Sequence, residues 1–155
     1  MFGFGKKKKL VLSAPAPGKL LELEDVADEV FASKTMGDGF AVEPEGEVIA
    51  APCDGELTLT AKTGHALGMV CDGLEVLLHV GIDTVELDGK GFALLVKTGD
   101  RVQRGQALLQ VDRAYIAARG KPLTTMVVLT NMQQVAGLER NLADPAAVLT
   151  VEIKK

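Results

Sequence analysis

Short runs rich in Val, Leu, Ile and Thr alternate along the chain with marks of Gly, Pro and Asp, which recur roughly every 8 to 12 residues. The marks read APAPGK, MGDGF, EPEGE, APCDGE, KTGH, CDG, ELDGKG and KTGDRVQRGQ; the runs between them include GFAVEP, EVIAAP, ELTLTAK, EVLLHVGI, FALLVK, ALLQV and TTMVVLT. ELTLT, residues 56–60, alternates strictly, which is the period of a strand with one buried face. EVLLHVGI and TMVVLT are continuous, the pattern of strands buried on both faces. Together they predict an all-β sandwich or closed barrel, and the fold class expected is all-β, an antiparallel β-sandwich or barrel-sandwich hybrid with a few short helical turns.

Helical signals are few and short. LEDVADEVFA, Leu23 to Ala32, brings Val26, Val30 and Phe31 near one side and predicts a turn or two of helix. DRAYIAARG, Asp112 to Gly120, opens on a residue that caps helix N-termini and closes on a glycine suited to the C-terminal end. NMQQVAGLERNL predicts another short turn. MGDGFAVEPEGEVIAAP and KTGDRVQRGQALLQV echo each other loosely, each with a Gly-Asp turn, a second glycine and a strand, as two β-hairpin modules packed together would.

A chain of 155 residues, 47% of them hydrophobic, supports one domain with a sizeable core. The expected organisation is a flexible tail over residues 1–12 and a single domain over 13–155. A formal charge of -4 generates no global field for nucleic acid, so any charge-driven docking is local. Cys53 and Cys71, the two cysteines, suit a reducing compartment better than a disulfide framework and are read as reduced thiols. No apolar stretch reaches the roughly 20 residues of a membrane-spanning helix. MFGFGKKKKL lacks the features of a secretory leader, so a cytoplasmic location is expected. Its Phe2 and Phe4 beside Lys6 to Lys9 suit at most weak contact with an anionic membrane face.

Both histidines fall in TGHALGMVCDGLEVLLHVGIDTVEL. A neutral imidazole has an unprotonated nitrogen at physiological pH and can accept a phosphoryl group. A strand through EVLLHVGI would hold the His79 ring rigidly, its tautomer fixed by a hydrogen bond at the other nitrogen. His65 is the candidate to donate a hydrogen bond to a phosphoryl oxygen, and Thr63, on the same side of an extended segment, can orient its ring. The spacing fits such a pair, and equally a satisfied core imidazole at 79 and a polar loop residue at 65. A zinc site has only two imidazoles and Asp83 to draw on, where catalytic zinc usually takes three protein ligands. The glycines of MGDGF and ELDGKG form neither a P-loop nor a dinucleotide fingerprint and read as turns. TGDRVQRGQ resembles a turn of lipoyl and biotin carriers, without the lysine those carriers modify.

Read in order from about Ala14, the segments APAPGKLLELEDVADEVFASKTMGDGFAVEP, APCDGEL, KTGHALG, LLHVGIDTVELDGKGF, GDRVQRGQALLQVD and LTTMVVLTNM resemble the glucose-family enzyme IIA of the bacterial phosphoenolpyruvate-dependent sugar phosphotransferase system. The resemblance implies a β-sandwich phosphocarrier that takes a phosphoryl group from phospho-HPr and passes it to the IIB domain of a membrane sugar permease, with no cofactor. It implies that His79 is phosphorylated on Nε2, that His65 stabilises the phosphoryl group, and that Thr63 orients His65. Asp28 and Asp83 match the acidic pair that meets basic HPr, and Val30, Phe31, Met36, Leu77 and Val85 match the apolar docking face. It further implies that such a domain can bind regulatory protein targets, sometimes with a zinc ion bridging the histidines, here His65 and His79, to a partner's carboxylate.

Two departures stand out. The interval from His65 to His79 is one residue shorter than the family pattern, a trimmed turn at VCDG that strand pairing should absorb. The N-terminal tail also differs, so membrane anchoring does not carry over. Which sugar the cognate permease transports is not written in the resemblance. A regulatory binding module on the same fold is the alternative within this class. The His79 to Asp83 spacing also fits the H-x-x-x-D pair of lysostaphin-like zinc endopeptidases, whose H-x-H element this chain lacks.

Overall fold

The computed structural model of the chain describes residues 8–154. Its strands run, in chain order, β1 Lys8–Leu12, β2 Gly18–Leu21, β3 Asp38–Pro44, β4 Val48–Ala50, β5 Gly55–Thr60, β6 Ala66–Cys71, β7 Leu74–Val80, β8 Phe92–Leu94, β9 Arg101–Val102, β10 Ala107–Val111, β11 Thr125–Leu129, β12 Val135–Arg140 and β13 Leu149–Ile153. Two short helices, α1 Glu29–Ala32 and α2 Arg113–Ala118, and three single 3-10 turns complete it. The expected all-β fold forms, as antiparallel sheets that do not close into a barrel, because each sheet ends on edge strands instead of pairing back on itself.

One sheet has seven strands, ordered β2-β3-β11-β7-β6-β5-β9, and faces two three-stranded sheets, β1-β13-β12 and β4-β10-β8. All pairings are antiparallel. The inward side chains of all three sheets meet in one core that includes Leu12, Phe40, Ile49, Leu67, Leu78, Leu109, Val127 and Val151. Each such side chain contributes about 1.5–3 kcal/mol by leaving water. The two echoed segments do pack together, but not as hairpins. In each, the first strand (β3 or β9) lies in the large sheet and the second (β4 or β10) crosses to a small one, where β4 and β10 pair.

A second, smaller core lies on the outer face of the large sheet. There Leu23, Val26 and Phe31, from the segment around α1, pack with Ile82 over Ala41, Met126 and Val128. The helical expectation for residues 23–32 resolves into a 3-10 turn Leu23–Asp25 and then α1, while α2 begins behind its Asp112 cap, whose carboxylate accepts the Tyr115 N–H at 3.0 Å. The cover reaches β3 and β11, and the face beyond, on β7, β6 and β5, stays open. That boundary positions the site.

Several expectations are corrected. β11 is buried on both faces, but β7 alternates: Leu74, Val76, Leu78 and Val80 enter the core while Glu75, Leu77 and His79 look outward. β5 does not bury both leucines, because its register slips between Leu57 and Leu59; the bulge at Thr58 turns Leu59 out to 51% exposure. Residues 8–12, assigned to the tail, form β1 on β13 with Leu10 and Leu12 buried, so the ordered body begins earlier than residue 13. Residues 1–7, and with them Phe2, Phe4 and Lys6, lie outside the described residues. NMQQVAGLERNL is a 3-10 turn followed by β12 rather than a turn alone. Cys53 and Cys71 are not free thiols but joined as a disulfide, because the turn before β5 lies against the end of β6 inside the core. Among the described residues no helix is long and apolar enough to cross a membrane.

Candidate functional site

His79 stands on the outward face of β7, level with Met126 of β11 and Ala66 of β6. His65 immediately precedes β6, and its carbonyl accepts the Val80 N–H at 2.7 Å, extending the β6–β7 pairing by one step. The hairpin between these strands turns on Asp72 and Gly73, both at positive φ (51° and 84°), the two-residue turn whose twist matches paired strands. A tight turn thus absorbs the short interval, and the rings meet edge to face with centroids 5.2 Å apart.

Each ring is held at Nδ1. His79 Nδ1 lies 3.0 Å from the Gly81 carbonyl oxygen. A carbonyl only accepts, so this bond puts the proton on Nδ1 and leaves the Nε2 lone pair free. Thr63 Oγ1 lies 2.5 Å from His65 Nδ1. Phe31 backs the His79 ring at 4.9 Å between centroids. Gly81 has φ +86°, and a Cβ there would come within 2.3 Å of Thr84 Cγ2, so only glycine fits the turn that carries the accepting carbonyl.

Burial pushes the pKa of both histidines below the ordinary 6.5, and the neighbouring His65 adds to the effect at His79. The Gly81 carbonyl, Asp28 and Asp83 pull His79 the other way without reversing it. Asp28 also caps α1, its carboxylate accepting the Val30 N–H at 3.0 Å. Asp83 stands exposed at φ 59°, ahead of the 3-10 turn Thr84–Leu87. Around the rings, Val30, Met36 and Val85 are 49%, 39% and 54% exposed and Leu77 is half-buried. Phe31 is buried, so in the free chain it supports the His79 ring from below rather than presenting a surface. A groove lined by Met36, Leu59, Gly68, Leu77 and Thr130 runs over β5, β6 and β7.

Among the described residues no three His, Cys, Asp or Glu side chains gather to hold a metal ion. A zinc ion at the two imidazoles would need its remaining ligands from a partner.

The family model for the phosphoenolpyruvate-dependent sugar phosphotransferase system, EIIA 1, matches residues 10–135. The chain belongs to that family. It is 41% identical over 158 residues to the PTS system glucose-specific EIIA component of Staphylococcus aureus (strain COL), covering 99% of this chain and 93% of the relative. The same component of Staphylococcus epidermidis (strain ATCC 12228) is 39% identical over 156 residues, covering 98% and 92%. Among solved structures, glucose permease IIA from Mycoplasma capricolum superposes with a TM-score of 0.79 at 32% identity, covering 99% and 94%. This EIIA is therefore a phosphocarrier, a transferase component of the sugar phosphotransferase system.

Three residues of this EIIA site escape the sequence reading. The Gly81 carbonyl and the Thr84 side chain lie in GIDT, where the glycine after a strand was the available signal. Leu59 had none, since a bulge does not show in an alternating pattern.

The lowered pKa of His79 has a direct consequence for pH. Its imidazolium is disfavoured, so the neutral ring persists as pH falls past 6.5 and is lost only through the depressed folded value. An NMR titration of the His79 ring is expected to give a midpoint below 6.5; a midpoint at or above it would contradict the burial argument. By linkage, the unfolded chain protonates first, so the stability present above about pH 6.5 declines as pH falls toward the folded midpoint.

Proposed function

We propose that His79 Nε2 accepts the phosphoryl group from phospho-HPr and passes it to the IIB domain of a membrane sugar permease. One observation carries the reading: the Gly81 carbonyl fixes the proton on His79 Nδ1, with the His65 ring 5.2 Å away. In each transfer the P–N bond to the donor imidazole breaks as a bond to the acceptor's nucleophilic atom forms, and the departing ring recovers its electron pair. The Thr63 hydroxyl donates to His65 Nδ1, so His65 carries its proton on Nε2 and donates it to a phosphoryl oxygen. Little further covalent chemistry is asked of the protein, and catalysis is positioning and electrostatics.

The docking face suits a basic partner: Asp28 and Asp83 supply charge beside Val30, Met36, Leu77 and Val85, and Leu59 enlarges the apolar surface. Exchange between two carriers requires release, which an open face allows. The reading puts the protein in the cytoplasm, where donor and permease domain meet. The test is intact-mass and phosphorus NMR analysis after incubation with phosphoenolpyruvate, enzyme I and HPr. One added phosphoryl group with a phosphohistidine signal is expected; no transfer from a competent donor would shift the reading to a regulatory binding module.

A further inference from the structure

Thr84 hydrogen-bonds to neither ring, yet it is fully buried and its hydroxyl donates to the Val80 carbonyl at 2.6 Å. Its methyl packs against Gly81 so closely that a Cβ on Gly81 would fall 2.3 Å from it. The backbone between the two is held on every other side. Val80 N–H bonds the His65 carbonyl, Gly81 N–H bonds the Thr124 carbonyl at 2.9 Å, and Ile82 N–H bonds the Pro122 carbonyl at 3.1 Å. The Gly81 carbonyl, by contrast, is the acceptor for His79 Nδ1. Its direction depends on the peptide planes on either side of it, and glycine adds no side-chain restraint of its own. Thr84 is the side chain that clamps that turn, through its hydroxyl on Val80 and its methyl on Gly81.

From this geometry we infer that Thr84 is a positioning residue for phosphoryl transfer: its hydroxyl fixes the Val80–Gly81 turn so that the Gly81 carbonyl holds the His79 proton on Nδ1. The inference rests on His79 being the acceptor only for its effect on rate; its effect on the ring stands apart. Removing the hydroxyl leaves a buried carbonyl without its partner, and the turn relaxes to find another. The Gly81 oxygen then loses its aim, neutral His79 populates the tautomer protonated on Nε2, and that fraction has no lone pair to offer.

The experiment compares the full-length wild type with Thr84→Val, which keeps the shape without the hydroxyl, and Thr84→Ser, which keeps the hydroxyl without the methyl. Nitrogen-15 NMR of the His79 ring reports the tautomer, and intact mass against time reports acceptance from phospho-HPr. Expected are a shift of the ring signals toward the other tautomer in Thr84→Val with acceptance slowed about tenfold, and near wild-type values for both in Thr84→Ser. Wild-type ring signals and rate in Thr84→Val would overturn the inference, as would a Thr84→Ser protein impaired as much as Thr84→Val. Should Thr84→Val not fold, Thr84→Ala takes its place; unfolding of both would overturn the inference, since the hydroxyl would then serve the fold alone. A wild type whose His79 is protonated on Nδ1 but takes no phosphoryl group would leave Thr84's hold on the ring standing and sink His79 as acceptor.

Discussion

His79→Ala will take up no phosphoryl group from phospho-HPr, while keeping its fold. The fold should survive because the side chain removed lies on the outward face of β7, and the core is built from the other face, by Leu74, Val76, Leu78 and Val80. Acceptance should vanish because the other imidazole cannot replace it. In the proposed arrangement His65 accepts at Nδ1 from the Thr63 hydroxyl 2.5 Å away and so carries its proton on Nε2, where a nucleophile needs a lone pair. Loss should therefore be complete rather than partial, with intact mass unchanged under conditions that label all of the wild type. A His79→Ala protein labelled to the wild-type extent would move the acceptor elsewhere.

The second large effect is expected at His65, and it separates the two halves of the carrier's cycle. His65→Gln leaves the His79 lone pair and its Gly81 anchor intact, so acceptance from phospho-HPr should continue. Onward transfer to IIB should fall by about 100-fold, the cost of losing one preorganised donor to a phosphoryl oxygen. The imidazole is rigid and pinned by Thr63, whereas an amide on a longer, flexible chain samples many positions. Rapid-quench measurement of phosphoryl transfer to an isolated IIB domain is the check. Wild-type transfer in the variant would remove His65 from the role assigned to it.

Much of this was legible in the residues, and the failures have physical causes. Strands β3, β4, β5, β7, β8, β10 and β11 fall on the Val-, Leu-, Ile- and Thr-rich runs, because a half-buried pleated surface selects those side chains. The two histidines were legible as a candidate pair because few other groups in the chain suit the chemistry. β7 was misread as buried on both faces because Leu77 belongs to an apolar surface that is open in the free chain, and an apolar run does not say what will cover it. β1 was lost in a lysine-rich stretch, although Leu10 and Leu12 already alternate with exposed or half-buried neighbours. The cysteine pairing depends on a turn meeting a strand end 18 residues on, a tertiary relation that no local pattern encodes. Gly81 and Thr84 act through a carbonyl and a clamp upon it, roles invisible until the backbone has a direction.

The Val80 N–H bond to the His65 carbonyl has a consequence for how this chain can vary. Because it extends the β6–β7 ladder, the spacing of the two rings is a property of sheet register and not of the connection between the strands. Residues gained or lost in pairs at the far end of the hairpin, around Asp72 and Gly73, lengthen or shorten both strands together and leave the rings opposed. The chemistry is thereby insulated from paired length changes in the turn that joins its two strands, whereas a slip of one residue in pairing would turn His79 into the core and erase the site at a stroke.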